Sequence, residues 1–205
     1  MKLSKLIIKK YSIISLAFSL SFGVSSAYAI QEENIASQMQ VNINKTTLLL
    51  QNEQLKQEDK KIQIFELFDP VFDYSSMSKI ALGKKWRKLS NDQKEHFENA
   101  FTHKLKQSYI DKLKLYTDEK VIINQTEKVK STRIKLHTEL IGKDQTYKII
   151  YKFHRSKKNA EWLIYDVEMI GVSIMKTYRK QFSDYLSSNS MDDLIKKLDK
   201  NNATN

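Results

Sequence analysis

The chain has 205 residues and a formal net charge of +11, with 35 lysines and arginines against 24 acidic residues. That length fits one domain able to bury a substantial core. It contains no cysteine, one proline and four glycines, which excludes disulfide support and thiolate chemistry and argues against flexible linkers between domains.

The first residues read as a secretory leader. Lys2, Lys5, Lys9 and Lys10 form a basic n-region, Tyr11 to Val24 an apolar stretch, and Ala27-Tyr28-Ala29 a small-x-small cleavage signal. The apolar stretch is short for a membrane span, which needs about 20 apolar residues. The expectation is a signal peptide at residues 1–29, a single soluble domain at 30–200 and a polar tail at 201–205; a retained N-terminal anchor is the alternative. Secretion argues against nucleic acid as a partner. The positive charge then either steers the protein towards anionic membranes or acidic proteins, or serves solubility alone.

The next segments are helical. Ile35, Met39 and Ile43 recur at helical spacing, as do Ile64, Leu67 and Phe68 before the break at Asp69-Pro70. Ser90-Asn91-Asp92-Gln93 is a capping box, which opens a long helix with Phe97, Phe101, Leu105, Tyr109 and Leu113 down one face. After Thr117 the period becomes 2. Ile134, Leu136 and Leu140 oppose Arg133, Lys135, His137 and Glu139; a turn at Gly142-Lys143-Asp144 follows, and then Tyr147, Ile149, Tyr151 and Phe153 oppose Lys148, Lys152 and His154. A second turn at Lys157 to Ala160 leads to a strand from Trp162 to Met169 with Leu163, Tyr165, Val167 and Met169 on one side. A strand near Val121 to Thr126 extends the antiparallel sheet to about four. Helices at Ser173 to Leu186 and from Ser190, with Ser190-Met191-Asp192-Asp193 as its N-terminal signature, close the chain. Helices, a meander and more helices make an α+β domain with helices against one face of a twisted sheet. Periodicity leaves open whether the aromatic stripe is packed core or the wall of a cavity.

Several stretches carry a family resemblance: FDYSSMSKIALGKKWRKLS, FENAFTHKLKQSYIDKL, and above all EWLIYDVEMIGVSIMKTYRKQF with SMDDLIKKL after it. They are similar to the MlaC family of periplasmic phospholipid-binding proteins, also called the toluene-tolerance family, over about Phe65 to Leu198. The resemblance implies a deep apolar pocket between helices and sheet. It also implies a monomer with a phospholipid ligand and no cofactor or metal. Its expected role is to shuttle lipid between an outer-membrane lipoprotein–porin complex and an inner-membrane ABC transporter carrying an MCE-domain ring. Carried over by position, the pocket wall falls on Phe72, Met77, Ile80, Leu82 and Trp86, then on Phe101, Leu105 and Tyr109 of the long helix. The sheet adds Leu136, Ile149, Tyr151, Phe153, Tyr165 and Val167, with Val172 after Gly171. Tyr109, Tyr151 and Tyr165 suit the mouth, because a phenol joins an apolar body to a hydrogen-bonding tip. For each of these residues core packing is the competing reading.

Gly83 and Gly171 read as conformational, at a helix end and a strand-to-helix passage. Arg179 is a candidate partner for a carboxylate or phosphate, with a structural ion pair the plainer reading. An enzyme is poorly supported: there is no G-x-S-x-G, H-E-x-x-H or phosphate loop, His96 and His103 lack a third ligand, and Asp69 and Asp73 carry no other catalytic mark. A periplasmic adaptor without lipid cargo, its aromatics all core, is the second rival.

Overall fold

The computed structural model describes residues 30–113 and 120–203; the expected leader, and with it the cleavage site, lies outside the described residues. Helices α1 (Ile35–Gln51) and α2 (Gln57–Phe68) are followed by a short 3-10 turn, Asp69–Val71, and by α3 (Tyr74–Leu82). A second 3-10 segment, Gly83–Lys88, leads to α4 (Asn91–Leu113). The strands β1 (Lys120–Lys130), β2 (Arg133–Ile141), β3 (Thr146–Arg155), β4 (Trp162–Met169) and β5 (Val172–Ser173) come next, and α5 (Ile174–Tyr185) and α6 (Met191–Ala203) end the chain. The expected polar tail at 201–205 thus begins inside α6.

The α+β class and the antiparallel meander are as the sequence predicts. The strands lie in the order β1-β2-β3-β4-β5, each paired with its neighbour in the chain. The sheet has five strands rather than about four, because the turn at Ile170-Gly171 returns two residues to pair with Glu168 and Met169. Both turn residues have positive φ, 52° and 76°, as a two-residue hairpin turn of this hand requires.

Register assigns the faces. Ile134 pairs with Phe153, Leu136 with Tyr151, and Thr138 with Ile149, so these share the inner face. On β4 the simple alternation fails. Phe153 pairs with Ile164 but Lys152 with Asp166, which leaves Tyr165 as the extra residue of a β-bulge. A bulge reverses the parity of everything beyond it. Trp162 and Ile164 face inward before it and Val167 and Met169 after it, and Leu163 and Tyr165 do not join them.

Two hydrophobic clusters result. The first lies between the sheet and α1, α2 and the end of α4, built on Ile35, Met39, Ile64, Phe68, Ile110, Leu136, Phe153 and Ile164. The second is helix on helix: Met77 and Leu82 of α3, Phe97 and Phe101 of α4, Met175 and Phe182 of α5, and Leu194 and Leu198 of α6. At 1.5 Å per residue α4 runs about 34 Å, long enough to contribute to both. Serine caps seat the later helices. Ser90 accepts from the N–H of Gln93 at 3.1 Å while Gln93 accepts from that of Ser90 at 3.3 Å. Ser190 and Asp193 repeat the exchange at 3.1 Å in each direction.

Asp166 ties sheet to helix. Buried at 5% exposure, it accepts from Ser173 Oγ at 2.7 Å, the Met175 N–H at 3.2 Å and Lys152 Nζ at 3.1 Å. Lys152 also reaches Glu168 at 2.7 Å. Burial works against the Lys152 charge, but the bonds to Glu168 and Asp166 outweigh it and hold the ammonium above its ordinary value.

Candidate functional site

The seam between helices and sheet brings two of the predicted mouth residues together. Tyr109 on α4 meets Phe68 edge-on, ring centroids 5.8 Å apart, and Tyr151 on β3 lies between Leu136 and Val167 in register. Both pack against the first cluster. Burial pushes the Tyr151 phenol up to about 12 and raises that of Tyr109 further, with Tyr151 itself adding to the effect. Among the described residues neither hydroxyl has a hydrogen-bond partner. The seam therefore offers two neutral donors in apolar surroundings, an arrangement suited to accepting oxygens such as those of esters or phosphodiesters.

Beside them lies a polar clasp. Tyr74 donates to Asp69 Oδ1 at 2.9 Å and Lys106 pairs with Asp69 Oδ2. The Lys106 ammonium also lies 5.2 Å from the Phe65 ring centroid and 5.4 Å from that of Tyr74. Phe72 stacks on Tyr74 at 5.7 Å and approaches Phe68 at 6.2 Å. Its backbone bridges to Ile164, and it packs against both clusters.

Asp73 caps α3, accepting from the Ser76 N–H at 2.8 Å and Ser76 Oγ at 2.7 Å, and also from His154 Nε2 at 2.7 Å. Burial alone would raise its carboxyl, but the bonds from His154 and Ser76 prevail and hold it at about 2. The serine here donates to the carboxylate and has no bond to the histidine, so the group lacks the base-activated nucleophile a hydrolase needs. Asp69 and Asp73 thus serve separate structural bonds. His96 and His103 are exposed on α4, and no metal-ligating cluster occurs among the described residues.

The other predicted wall residues divide between the clusters. Met77, Leu82 and Phe101 are buried in the second, with Ile80, Trp86 and Leu105 packed against it. Leu136 and Phe153 are buried in the first, with Val167 against it, and buried Ile149 shares its sheet face. Two residues stand apart from both clusters. Tyr165, displaced by the bulge, takes the Arg133 guanidinium at 5.0 Å over its ring and meets His154 edge-on at 5.7 Å. Val172 is 59% exposed on the edge strand. Arg179 has no ion pair among the described residues; its guanidinium lies where a Cβ on Gly83 would come within 2.8 Å, so the ion-pair expectation is replaced by close packing. Gly83 is required both by this contact and by its φ of 56°.

The sequence reading missed a cleft of about 550 Å³ between α1 and α2. Leu48, Leu49, Leu67 and Val71 line it together with Asn42 and Glu66. Asn42 is buried and donates to the Leu67 carbonyl at 3.0 Å. The one sequence signal was the run Leu48-Leu49-Leu50, too long for a single helix face; Leu48 is 67% exposed.

Comparison with known proteins decides the family. A sequence model described as MlaC protein matches residues 40–200. The chain belongs to the MlaC family. An intermembrane phospholipid transport system binding protein MlaC from Haemophilus influenzae is 26% identical over 120 residues, covering 57% of this MlaC-family chain and 56% of that protein. Toluene tolerance protein ttg2D from Pseudomonas putida is 26% identical over 136 residues, covering 65% and 61% respectively. These alignments span less than two thirds of either relative. A phospholipid-binding protein from Ralstonia solanacearum, solved in complex with a phospholipid, superposes with a TM-score of 0.71 at 18% identity, covering 82% of this chain and 96% of that one. That likeness establishes a shared fold.

Proposed function

We propose that this chain is a periplasmic phospholipid carrier, moving lipid between outer and inner membranes for an ABC-type transport system. Its partners in this reading are an inner-membrane transporter with an MCE-domain ring and an outer-membrane lipoprotein–porin complex. The observation that carries the reading, in a chain of this family, is the phenol pair Tyr109 and Tyr151 at the apolar helix–sheet seam, neither hydroxyl of which has a hydrogen-bond partner among the described residues. Acyl chains would enter the first cluster by displacing packed side chains there, and the two phenols would meet glycerol-ester or phosphate oxygens. No enzymatic step is involved.

The energetics favour such a carrier. A diacyl phospholipid carries on the order of thirty methylenes, and at about 0.8 kcal/mol each its aversion to water exceeds about 20 kcal/mol. An apolar interior resembles the bilayer as a solvent, so transfer from membrane to protein is nearly neutral and cargo remains deliverable. The leader read at residues 1–29 supports export.

Native mass spectrometry of the protein purified from a periplasmic extract without detergent, followed by organic extraction, tests this. The expected result is stoichiometric phospholipid that is lost on delipidation and regained from vesicles. A clean apo mass with no uptake from vesicles would sink the carrier reading in favour of a cargo-free adaptor.

A further inference from the structure

The basic charge is not evenly spread. No Asp or Glu occurs in residues 74–91, while Lys79, Lys84, Lys85, Arg87 and Lys88 all fall there. On α5, Lys176, Arg179 and Lys180 recur at helical spacing and share one face. Three contacts join these segments into one surface. Lys79 lies over the Trp86 ring at 6.0 Å, Lys85 Nζ donates to the Leu186 carbonyl at 2.8 Å, and Arg179 packs on Gly83.

Among the described residues none of these cations has a carboxylate within ion-pair distance, whereas Lys61, Lys106, Lys128, Lys135 and Lys152 elsewhere do. The acidic groups at the margins include Asp73 and Asp92, which flank the segment in the chain, Asp184 on α5, and Glu168, which lies near Lys176. All but Lys85 are exposed, and Trp86 is half-buried. Two exposed aliphatic residues, Ile170 at 63% and Val172 at 59%, stand at the turn leading into α5.

We propose that this face, formed by the end of α3, the 83–88 segment and α5, docks the protein on an anionic phospholipid bilayer. A field of one sign, carried mainly on flexible lysines, matches a uniformly anionic surface; an acidic protein would pair its own cations with carboxylates that this face lacks. An indole and two exposed aliphatic side chains beside the cations complete the pattern of interfacial binding, with the charges at the headgroups and the apolar groups just beneath. This surface property is independent of whether the interior holds lipid.

Co-sedimentation of the full mature chain with vesicles of phosphatidylcholine alone, or mixed with phosphatidylglycerol, tests the proposal. Wild type should prefer the anionic vesicles and lose that preference as salt rises. A variant carrying Arg87→Gln, Lys88→Gln, Arg179→Gln and Lys180→Gln should bind them more weakly by about fivefold per cation, about 600-fold in all. A control with the same charge change on the sheet side, Lys120→Gln, Lys130→Gln, Lys157→Gln and Lys158→Gln, should lose little. Equal losses in the two variants would reduce the effect to net charge and overturn the proposal. So would equal binding of wild type to both vesicle types, or undiminished binding by the first variant. Circular dichroism verifies folding, and extractable phospholipid measured on each preparation reports on the carrier reading separately.

Discussion

The two hydrophobic clusters differ in how their side chains are held. In the helix-only cluster Trp86, Phe97, Phe101, Tyr178 and Phe182 interlock at centroid distances of 4.9–6.5 Å, and capping boxes fix α4 and α6 above them. In the sheet-side cluster Ile and Leu outnumber the aromatic rings, two phenols lack hydrogen-bond partners among the described residues, and the polar residues Asn42, Thr46 and Lys60 are buried nearby. Lys60 spends its ammonium on the Leu50 carbonyl at the end of α1, at 2.8 Å. Interlocked aromatic rings resist rearrangement; in the sheet-side cluster ring contacts run from Phe68 to Phe72 and Tyr109, with aliphatic side chains around them. On the carrier reading proposed above, a domain that admits cargo and still remains folded would be served by one cluster of each kind.

Truncation in the rigid cluster gives the largest expected effect. Phe101→Ala, at a fully buried position touching three other rings, should cost about 3–5 kcal/mol, read as a shift in urea midpoint, with the phospholipid carried per folded molecule unchanged. Parallel loss of lipid in the folded fraction would break the division between clusters. The second effect is acid-linked. Asp73 titrates at about 2 when folded against an ordinary 3.8, so the unfolded chain binds its proton more readily. The contribution of Asp73 is complete above pH 3.8 and is lost as pH falls towards 2. Asp73→Asn should lower stability at neutral pH by about 2 kcal/mol and flatten that acid limb in denaturation curves.

Smaller effects probe the seam. Tyr109→Phe combined with Tyr151→Phe breaks no hydrogen bond among the described residues, so the apo protein should change by less than about 1 kcal/mol while lipid retention in vesicle exchange falls about 2- to 10-fold per hydroxyl. Loss of stability without loss of retention would return both phenols to the core. The smallest effect is at Ser78, whose buried hydroxyl has no hydrogen-bond partner among the described residues. Ser78→Ala should be neutral or stabilise thermal unfolding by up to about 1 kcal/mol, because Ala also suits a buried helix position.

The meander was legible because β2 and β3 mostly alternate apolar and polar residues, and the starts of α4 and α6 because their capping boxes are local. What escaped was non-local. The β4 bulge depends on how Phe153 pairs and leaves no mark in β4 itself, so Tyr165 was assigned to the wrong face. Val172 looked like wall because its neighbours are apolar, yet it sits on a two-residue edge strand. Within the candidate site Tyr109 and Tyr151 could be named from their chemistry, but that both join one cluster depends on the end of α4 packing on the sheet side. The α1–α2 cleft depends on how two helices splay, which their own periodicities do not encode.

The strictly sequential strand order also sets a timetable. Each strand pairs with its chain neighbour, so the sheet closes through short loops, whereas the helical cluster joins residues about a hundred positions apart, as in Lys85 to Leu186 and Gln93 to Asp192. Short loops close first. Pulse-labelled hydrogen exchange during refolding should protect the β2 and β3 amides before those of α4, and simultaneous protection would contradict this order. A chain emerging from its N-terminus would then carry a finished sheet beside an unsealed helical layer until its last residues arrive, and that interval is when its apolar interior lies open.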